Sequence, residues 1–291
     1  MSSAPQAFFL PADDASTGQR YCLFHPAQGQ VLHGRVVYIH PFAEEMNKSR
    51  RMAALQSRAL AAAGFSVLQI DLHGCGDSSG DFGDASWQGW VDDVVQACAW
   101  LRKRDAEHAE APLWLWGLRA GCLVAAATAG RLDENCNFCF WQPVVSGKVM
   151  LQQFLRLRLA ADMLAGSSKG LMEQMRQQLA QGDSIEIAGY RLAPELALGL
   201  EQAQLQPPAA HTARLEWLEL STRPATELSP VSGQAQTRWA QAGWRISSTL
   251  AQGPAFWQTS EIEAAPALIA ATTAAMLVPA TALPLAEVST A

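Results

Sequence analysis

The feature that most constrains this chain is the run Leu113-Trp114-Leu115-Trp116-Gly117-Leu118-Arg119-Ala120-Gly121, followed by the small-residue stretch Leu123 to Ala129. Four bulky apolar residues in a row read as a strand buried on both faces, and the alanine-rich stretch reads as a helix packed close upon it. Glycines two before and two after position 119 remove the Cβ atoms that would obstruct so sharp a strand-to-helix turn. Such a turn lifts the central side chain above the end of a sheet. Here that side chain is an arginine.

The neighbouring sequence supplies the sheet. Arg35 to Ile39 and Ser66 to Asp71 are short β-branched runs, and between them Ser49 to Ala63 sets Met52, Leu55 and Leu60 at helical spacing, with Gly64 as the stop. A Gly/Asp/Ser loop, His73 to Gly83, leads into a helix from Ser86 to Arg104 with Trp90, Val94, Ala97 and Leu101 on one face. Asn137 to Trp141 is a further strand. After Gln142 the alternation stops, and two amphipathic helices, Val149 to Leu164 and Leu171 to Leu179, precede a β-like segment from Ser184 to Leu192 around Gly189. The rhythm returns with a strand at Leu215 to Leu220, a helix at Ser229 to Ala242, a strand at Trp244 to Leu250 and an apolar terminal helix. Ala7 to Leu10 and Arg20 to His25 pair as an antiparallel edge hairpin, and residues 202 to 213 form a surface connection. The pattern predicts a mostly parallel, doubly wound α/β sheet built from residues 1–145 and 205–291, with residues 146–204 inserted as a helical cap.

Composition closes off several functions. The chain has 291 residues, 49% apolar and 16% charged, enough for one large core and incompatible with a disordered or fibrous protein. A net charge of −6, with no basic run longer than Arg102-Lys103-Arg104, excludes nucleic acid as a partner. The cysteines are scattered, and the close pair Cys136 and Cys139 lacks a second pair of ligands, so no metal is expected. Met1 to Gln6 carries no export signal, and the apolar stretch Ala264 to Val278 is interrupted by Pro266, Thr272 and Thr273. It falls short of the roughly 20 residues of a membrane span. The expectation is a soluble, cytoplasmic protein with no membrane span.

Three motifs then converge. Gly117 and Gly121 frame a nucleophile elbow. His40-Pro41-Phe42-Ala43 follows a strand where an oxyanion loop belongs, so the Phe42 and Ala120 N–H groups are the candidate oxyanion hole. Asp71 to Gly80 matches the loop D-x-x-G-x-G-x-S-x-G. Together these predict an α/β-hydrolase fold with an inserted cap. No G-x-G-x-x-G follows the first strand, so no dinucleotide is expected, nor any other cofactor. Yet Arg119 occupies the nucleophile's position. The base should follow the last strand, where Ala251 to Trp257 reads AQGPAFW, and no histidine lies beyond His211. The nearest carboxylates for an acid are Glu219 and Glu227. A Ser-His-Asp acyl transfer cannot run on this chain.

A partly buried arginine at a helix N-terminus needs an anion. Glu44 and Glu45, in the loop after His40, are the internal candidates, and a ligand carboxylate or phosphate is the external one. Arg119, His40 and Glu45 are therefore the candidate catalytic groups, with His40 as a residual base. Arg119, Glu44 and His73 are the candidate anion-binding set. Cys122, Cys75 and Ser78 read as core or turn residues rather than substitute nucleophiles.

The runs HPFAEEMNKSRRM (40–52), QIDLHGCGDSSGDFGDASW (69–87), WLWGLRAG (114–121) and FWQTSEIEAAPALIAAT (256–272) make the chain similar to the exosortase-A-system-associated hydrolases of the second type. These are bacterial α/β-hydrolase-like proteins found with exopolysaccharide and protein-sorting genes. The resemblance covers nearly the whole chain and implies an ester or thioester hydrolase in that setting. The missing triad points instead to a pseudo-hydrolase that binds an anionic or acyl small molecule, or a protein partner, in the old cleft. The sequence leaves open whether the chain forms a homo-oligomer.

Overall fold

The computed structural model describes residues 4–164, 170–209, 213–223 and 227–279. Its elements follow the hydrophobic rhythm of the chain. An edge hairpin, β1 (Gln6–Pro11) and β2 (Gln19–His25), precedes β3 (Gly34–Ile39), α1 (Glu44–Ala62), β4 (Phe65–Ile70), α2 (Trp87–Arg104), β5 (Leu113–Leu118), α3 (Gly121–Ala129) and β6 (Cys136–Trp141). Then come α4 (Gly147–Leu164), α5 (Leu171–Ala180), β7 (Ile185–Ile187), β8 (Tyr190–Leu192) and α6 (Pro194–Gln202). The chain closes with β9 (Arg214–Ser221), α7 (Pro230–Gln241), β10 (Arg245–Gln252) and α8 (Pro266–Leu277).

Eight strands form one sheet in the order β1-β2-β4-β3-β5-β6-β9-β10. Pairing is antiparallel at β1/β2 and β2/β4 and parallel at every other junction. Every residue of β3 and β5 is buried, which is why these strands are continuous apolar runs rather than alternating ones. The side chains of α1 and α8, including Met52, Leu60, Leu268 and Met276, fill one face against Val36, Trp114 and Trp116. Those of α2, α3 and α7, including Trp90, Val94, Leu123 and Trp239, fill the other against Val37, Leu115 and Phe138. Among the described residues no helix is long and apolar enough to cross a membrane.

Three elements differ from expectation. The first helix begins at Glu44 rather than Ser49, so Glu44 and Glu45 form its first turn instead of a loop. No capping side chain announces that start; the residue before it, Ala43, sits at φ 49°. The segment around Gly189 is a two-stranded hairpin whose turn residues, Ala188 and Gly189, both have positive φ, as a primed turn requires. And Pro194 to Gln202 is a helix, started by its proline and burying Leu196, Ala197 and Leu200. The connection expected over 202–213 lies partly outside the described residues.

The segment between β6 and β9 leaves and re-enters the sheet at one point, where Ser146 and Gln204 form a β-bridge. It rests on the loops at the strand ends through aromatic edges. Phe154 of α4 stands edge-on to Phe42 at 5.1 Å, and Tyr190 of β8 stands edge-on to Phe82 at 5.1 Å. Phe154 is fully buried, a contribution of about 1.5–3 kcal/mol to holding this segment down. Between it and the carboxyl ends of β3, β5 and β6 lies the position of Arg119.

Candidate functional site

The site is built on strained backbone. Arg119 adopts φ 55°, between the last residue of β5 and the start of α3, and its N–H donates to Trp141 O at 2.9 Å. For a residue with a Cβ this left-handed conformation costs about 1–2 kcal/mol. The flanking glycines are there for space. A Cβ at Gly117 would lie 2.6 Å from Cys122 N, and one at Gly121 would lie 2.3 Å from Ile39 O. Ala43 and Gln142, just past β3 and β6, also have positive φ, so three of the four such non-glycine residues described surround this one place.

The Arg119 guanidinium is held from three sides. Nε and Nη2 both donate to Glu45 Oε1 at 3.2 Å, and Nη2 also donates to Gln153 Oε1 of α4 at 3.1 Å. The guanidinium carbon lies over the Trp257 ring, 5.6 Å from its centroid. Nη1 donates to no acceptor among the described residues. Glu45 is 6% exposed, and its Oε2 receives no hydrogen bond among the described residues, nor does Glu44 Oε2. Burial pushes the Glu45 carboxyl up to about 7, against the opposing pull of Arg119; burial also raises Glu44. Beside them is a cavity of about 470 Å³, lined by Glu44, Glu45, Lys48, Arg119, Trp257 and Gln258, among others.

The place after β10, where a triad histidine would stand, brings Trp257 to this cavity. Glu219 of β9 is committed elsewhere, accepting from Trp217 Nε1 at 2.7 Å and Ser232 Oγ at 2.5 Å, which ties α7 to the sheet. Glu227 is exposed. His40 is not free to act as a base. Its Nε2 accepts from the Leu72 N–H at 3.2 Å, so the proton sits on Nδ1 and is donated to Pro41 O at 2.8 Å. Burial further lowers its proton affinity. It orients the loop that carries Phe42, and that is a positioning role.

His73 does not join Arg119. Its N–H donates to Asp93 Oδ2 at 2.7 Å and its carbonyl accepts from Trp90 Nε1 at 3.0 Å, both on α2, while its ring packs over Gly80 of its own loop. Cys122 and Cys75 are buried, with thiols pushed well up by burial, and neither can supply a thiolate. Ser78 Oγ is spent on Asp71 O and the Tyr21 N–H. The Phe42 and Ala120 N–H groups, by contrast, donate to no acceptor among the described residues. Among those residues no group of three or more His, Cys, Asp or Glu side chains could hold a metal. Two participants were invisible in the sequence: Gln153 sits in an ordinary amphipathic helix, and Trp257 in a coil whose path the sequence does not encode locally.

This sheet order, glycine-framed elbow and flanking loop define an α/β-hydrolase fold. The chain belongs to the serine aminopeptidase S33 family of hydrolases, whose profile matches residues 30–184, more than half of it. Over 114 residues it is 32% identical to human protein ABHD12B, a match covering 39% of this chain and 29% of that protein, so it spans less than a third of that relative's length. Among solved structures it is similar to the ferulic acid complex of Est1E from Butyrivibrio proteoclasticus, with a TM-score of 0.64 at 13% identity, covering 93% of this chain and 98% of that one. It is likewise similar to mouse α/β hydrolase domain-containing protein 10, with a TM-score of 0.55 at 14% identity, covering 93% and 96%. An α/β serine hydrolase of Xanthomonas campestris without a lid gives a TM-score of 0.52 at 15% identity, covering 95% and 93%. At these identities the structural likenesses speak for the fold alone.

Proposed function

We propose that this protein is a non-hydrolytic member of its family that holds a carboxylated small molecule against Arg119, beneath a cap formed by residues 146–204. The observation that carries the proposal is the guanidinium fixed at the elbow with its Nη1 unspent. A guanidinium cannot attack a carbonyl, and among the described residues at the site the one histidine, His40, has both ring nitrogens engaged. What remains is recognition. Nη1 offers a charge-assisted bond to a carboxylate, and the N–H groups of Phe42, in the loop after β3, and of Ala120, at the start of α3, offer further donors for oxygen. Glu45 pairs with the arginine and fixes its orientation. The four sequence runs quoted above support placing the protein with the exosortase and exopolysaccharide system, on the cytoplasmic side.

A second reading, an ester or thioester hydrolase, is favoured by the unspent N–H pair of the oxyanion loop and by the family itself. Turnover of p-nitrophenyl acyl esters by the purified chain separates the two. The proposal expects no rate above buffer across short and long acyl chains, together with thermal stabilisation by simple carboxylates; a ligand at 100 times its Kd adds about 2.7 kcal/mol. Turnover that disappears in Arg119→Ala would establish the hydrolase instead.

A further inference from the structure

We infer that Gln153 of α4 is a built-in competitor for the ligand: its side-chain oxygen fills half of the Arg119 fork that the ligand's carboxylate takes, and the carboxylate binds by displacing it. This rests on the carboxylate reading above and adds how the site selects a carboxylate over a neutral acyl group.

The guanidinium presents two forks, on opposite sides of Nη2. Nε and Nη2 form one, and both donate to Glu45 Oε1 at 3.2 Å. Nη1 and the second hydrogen of Nη2 form the other. In that second fork Nη2 donates to Gln153 Oε1 at 3.1 Å, while Nη1 donates to no acceptor among the described residues. A fork shaped for two oxygens therefore carries one, and that one is neutral. Nη2 has no third hydrogen to offer. A carboxylate that takes both members of this fork must displace Gln153, whereas Glu45, on the opposite fork, keeps its bonds.

The surroundings suit such an exchange. Gln153 is exposed, and its side chain makes no other hydrogen bond among the described residues, so it can turn into water. The next residue, Phe154, is buried edge-on to Phe42, so α4 keeps its place when the glutamine swings away. Arg119 and Gln153 line the same 470 Å³ cavity, and Met150, Phe154 and Leu157 give it an apolar wall for an acyl tail. An ester or amide carbonyl would replace one neutral oxygen on Nη2 with another and gain nothing by the displacement. An ionised carboxylate brings a charge to Nη2 and a second oxygen to Nη1, and the exchange runs in its favour.

Isothermal titration calorimetry at pH 7.5 and fixed ionic strength tests this on the full chain, with hexanoate, and with hexanamide as its uncharged counterpart. Wild type is compared with Gln153→Ala and Gln153→Met. Removing a competitor raises the fraction of protein whose fork is open, and apparent affinity rises by the same factor. Both variants should bind hexanoate about tenfold more tightly than wild type, the factor for a competing bond from a charged donor worth about 1.4 kcal/mol. Methionine keeps the length of glutamine without its acceptor, so a gain there cannot come from added room. A merely structural Gln153 would give the opposite result, since its loss would leave affinity unchanged or weaken it. Hexanoate binding by wild type with equal or weaker binding by either variant would overturn the inference and leave the carboxylate reading standing. So would hexanamide binding to wild type as tightly as hexanoate. Absence of hexanoate binding by wild type and both variants would overturn the carboxylate reading itself. If one variant does not fold, the other decides the matter.

Discussion

Replacing Arg119 by methionine isolates the ion pair at the elbow. Methionine keeps much of the apolar stem and the same strained φ, so the backbone cost is common to both proteins and drops out of the comparison. What is lost is the partner of a carboxyl that is 93% buried by its side chain. At pH 8 Glu45 is ionised in the wild type, and breaking a buried pair costs about 3–5 kcal/mol because the remaining charge has no compensation. At pH 5 Glu45 is protonated, and the loss falls to the three hydrogen bonds to Glu45 and Gln153 and the contact with Trp257, about 2–3 kcal/mol. The sign follows from the direction of the shift. A carboxyl raised from 4.5 to about 7 gives its full contribution to stability below the unfolded value and loses it as pH climbs through the folded one. Without Arg119 the folded value rises further, so the deficit of the variant must grow with pH. Urea denaturation followed by tryptophan fluorescence, on both proteins at pH 5 and pH 8, reads the difference of differences as up to about 1.4 kcal/mol, the worth of the one pH unit between the folded value near 7 and pH 8. Other titrating groups, such as Asp93 with its carboxyl pushed up to about 6, are common to both proteins and cancel. A deficit equal at the two pH values, or larger at pH 5, would refute the assignment of Glu45 as the buried partner.

Two other substitutions probe the frame. Gly121→Ala should lower thermal stability sharply or prevent soluble folding, because its Cβ would press on Ile39 O and His40 O, both backbone atoms that no side-chain rotation can relieve; a variant melting with wild type would show that β3 and the elbow are not locked together. His40→Ala should cost about 1–3 kcal/mol, read by urea denaturation, by leaving the buried Leu72 N–H without its acceptor. Unchanged stability would show that His40 does not hold the loop that carries Phe42.

Much of the fold was legible because its signals are local. The apolar runs of β3 and β5, the stop at Gly64, whose φ is 88°, and the N-caps Ser86 and Ser229 each act within a few residues. The start of α1 was not legible, since Ala43 offers no capping side chain and, without a cap, the helix preference of Glu44 and Glu45 does not mark where the helix begins. Helix α6 was hidden by Pro194 and Gly199, whose meaning depends on position: the proline starts the helix, and the glycine lets it approach Trp87, where a Cβ would come within 2.2 Å. At the site, position 119 and the need for an acidic partner could be read from residue types and spacing. That Glu45 rather than Glu44 meets the guanidinium depends on helix phase. That Trp257 and Gln153 complete the enclosure depends on tertiary placement, and that His73 stays away depends on how its loop folds back on Gly80.

The strained elbow bears on how this chain could change over generations. Its left-handed turn, its two obligatory glycines and the loop fastened by His40 are costs borne by the backbone, and they persist whichever side chain occupies position 119. The backbone that elsewhere in this fold presents a nucleophile here presents an arginine. A serine at 119 and a histidine at 257 would be exchanges of side chains on a main chain already bent to receive them, whereas creating such a turn in a sheet that lacked it would demand remodelling three strand ends together.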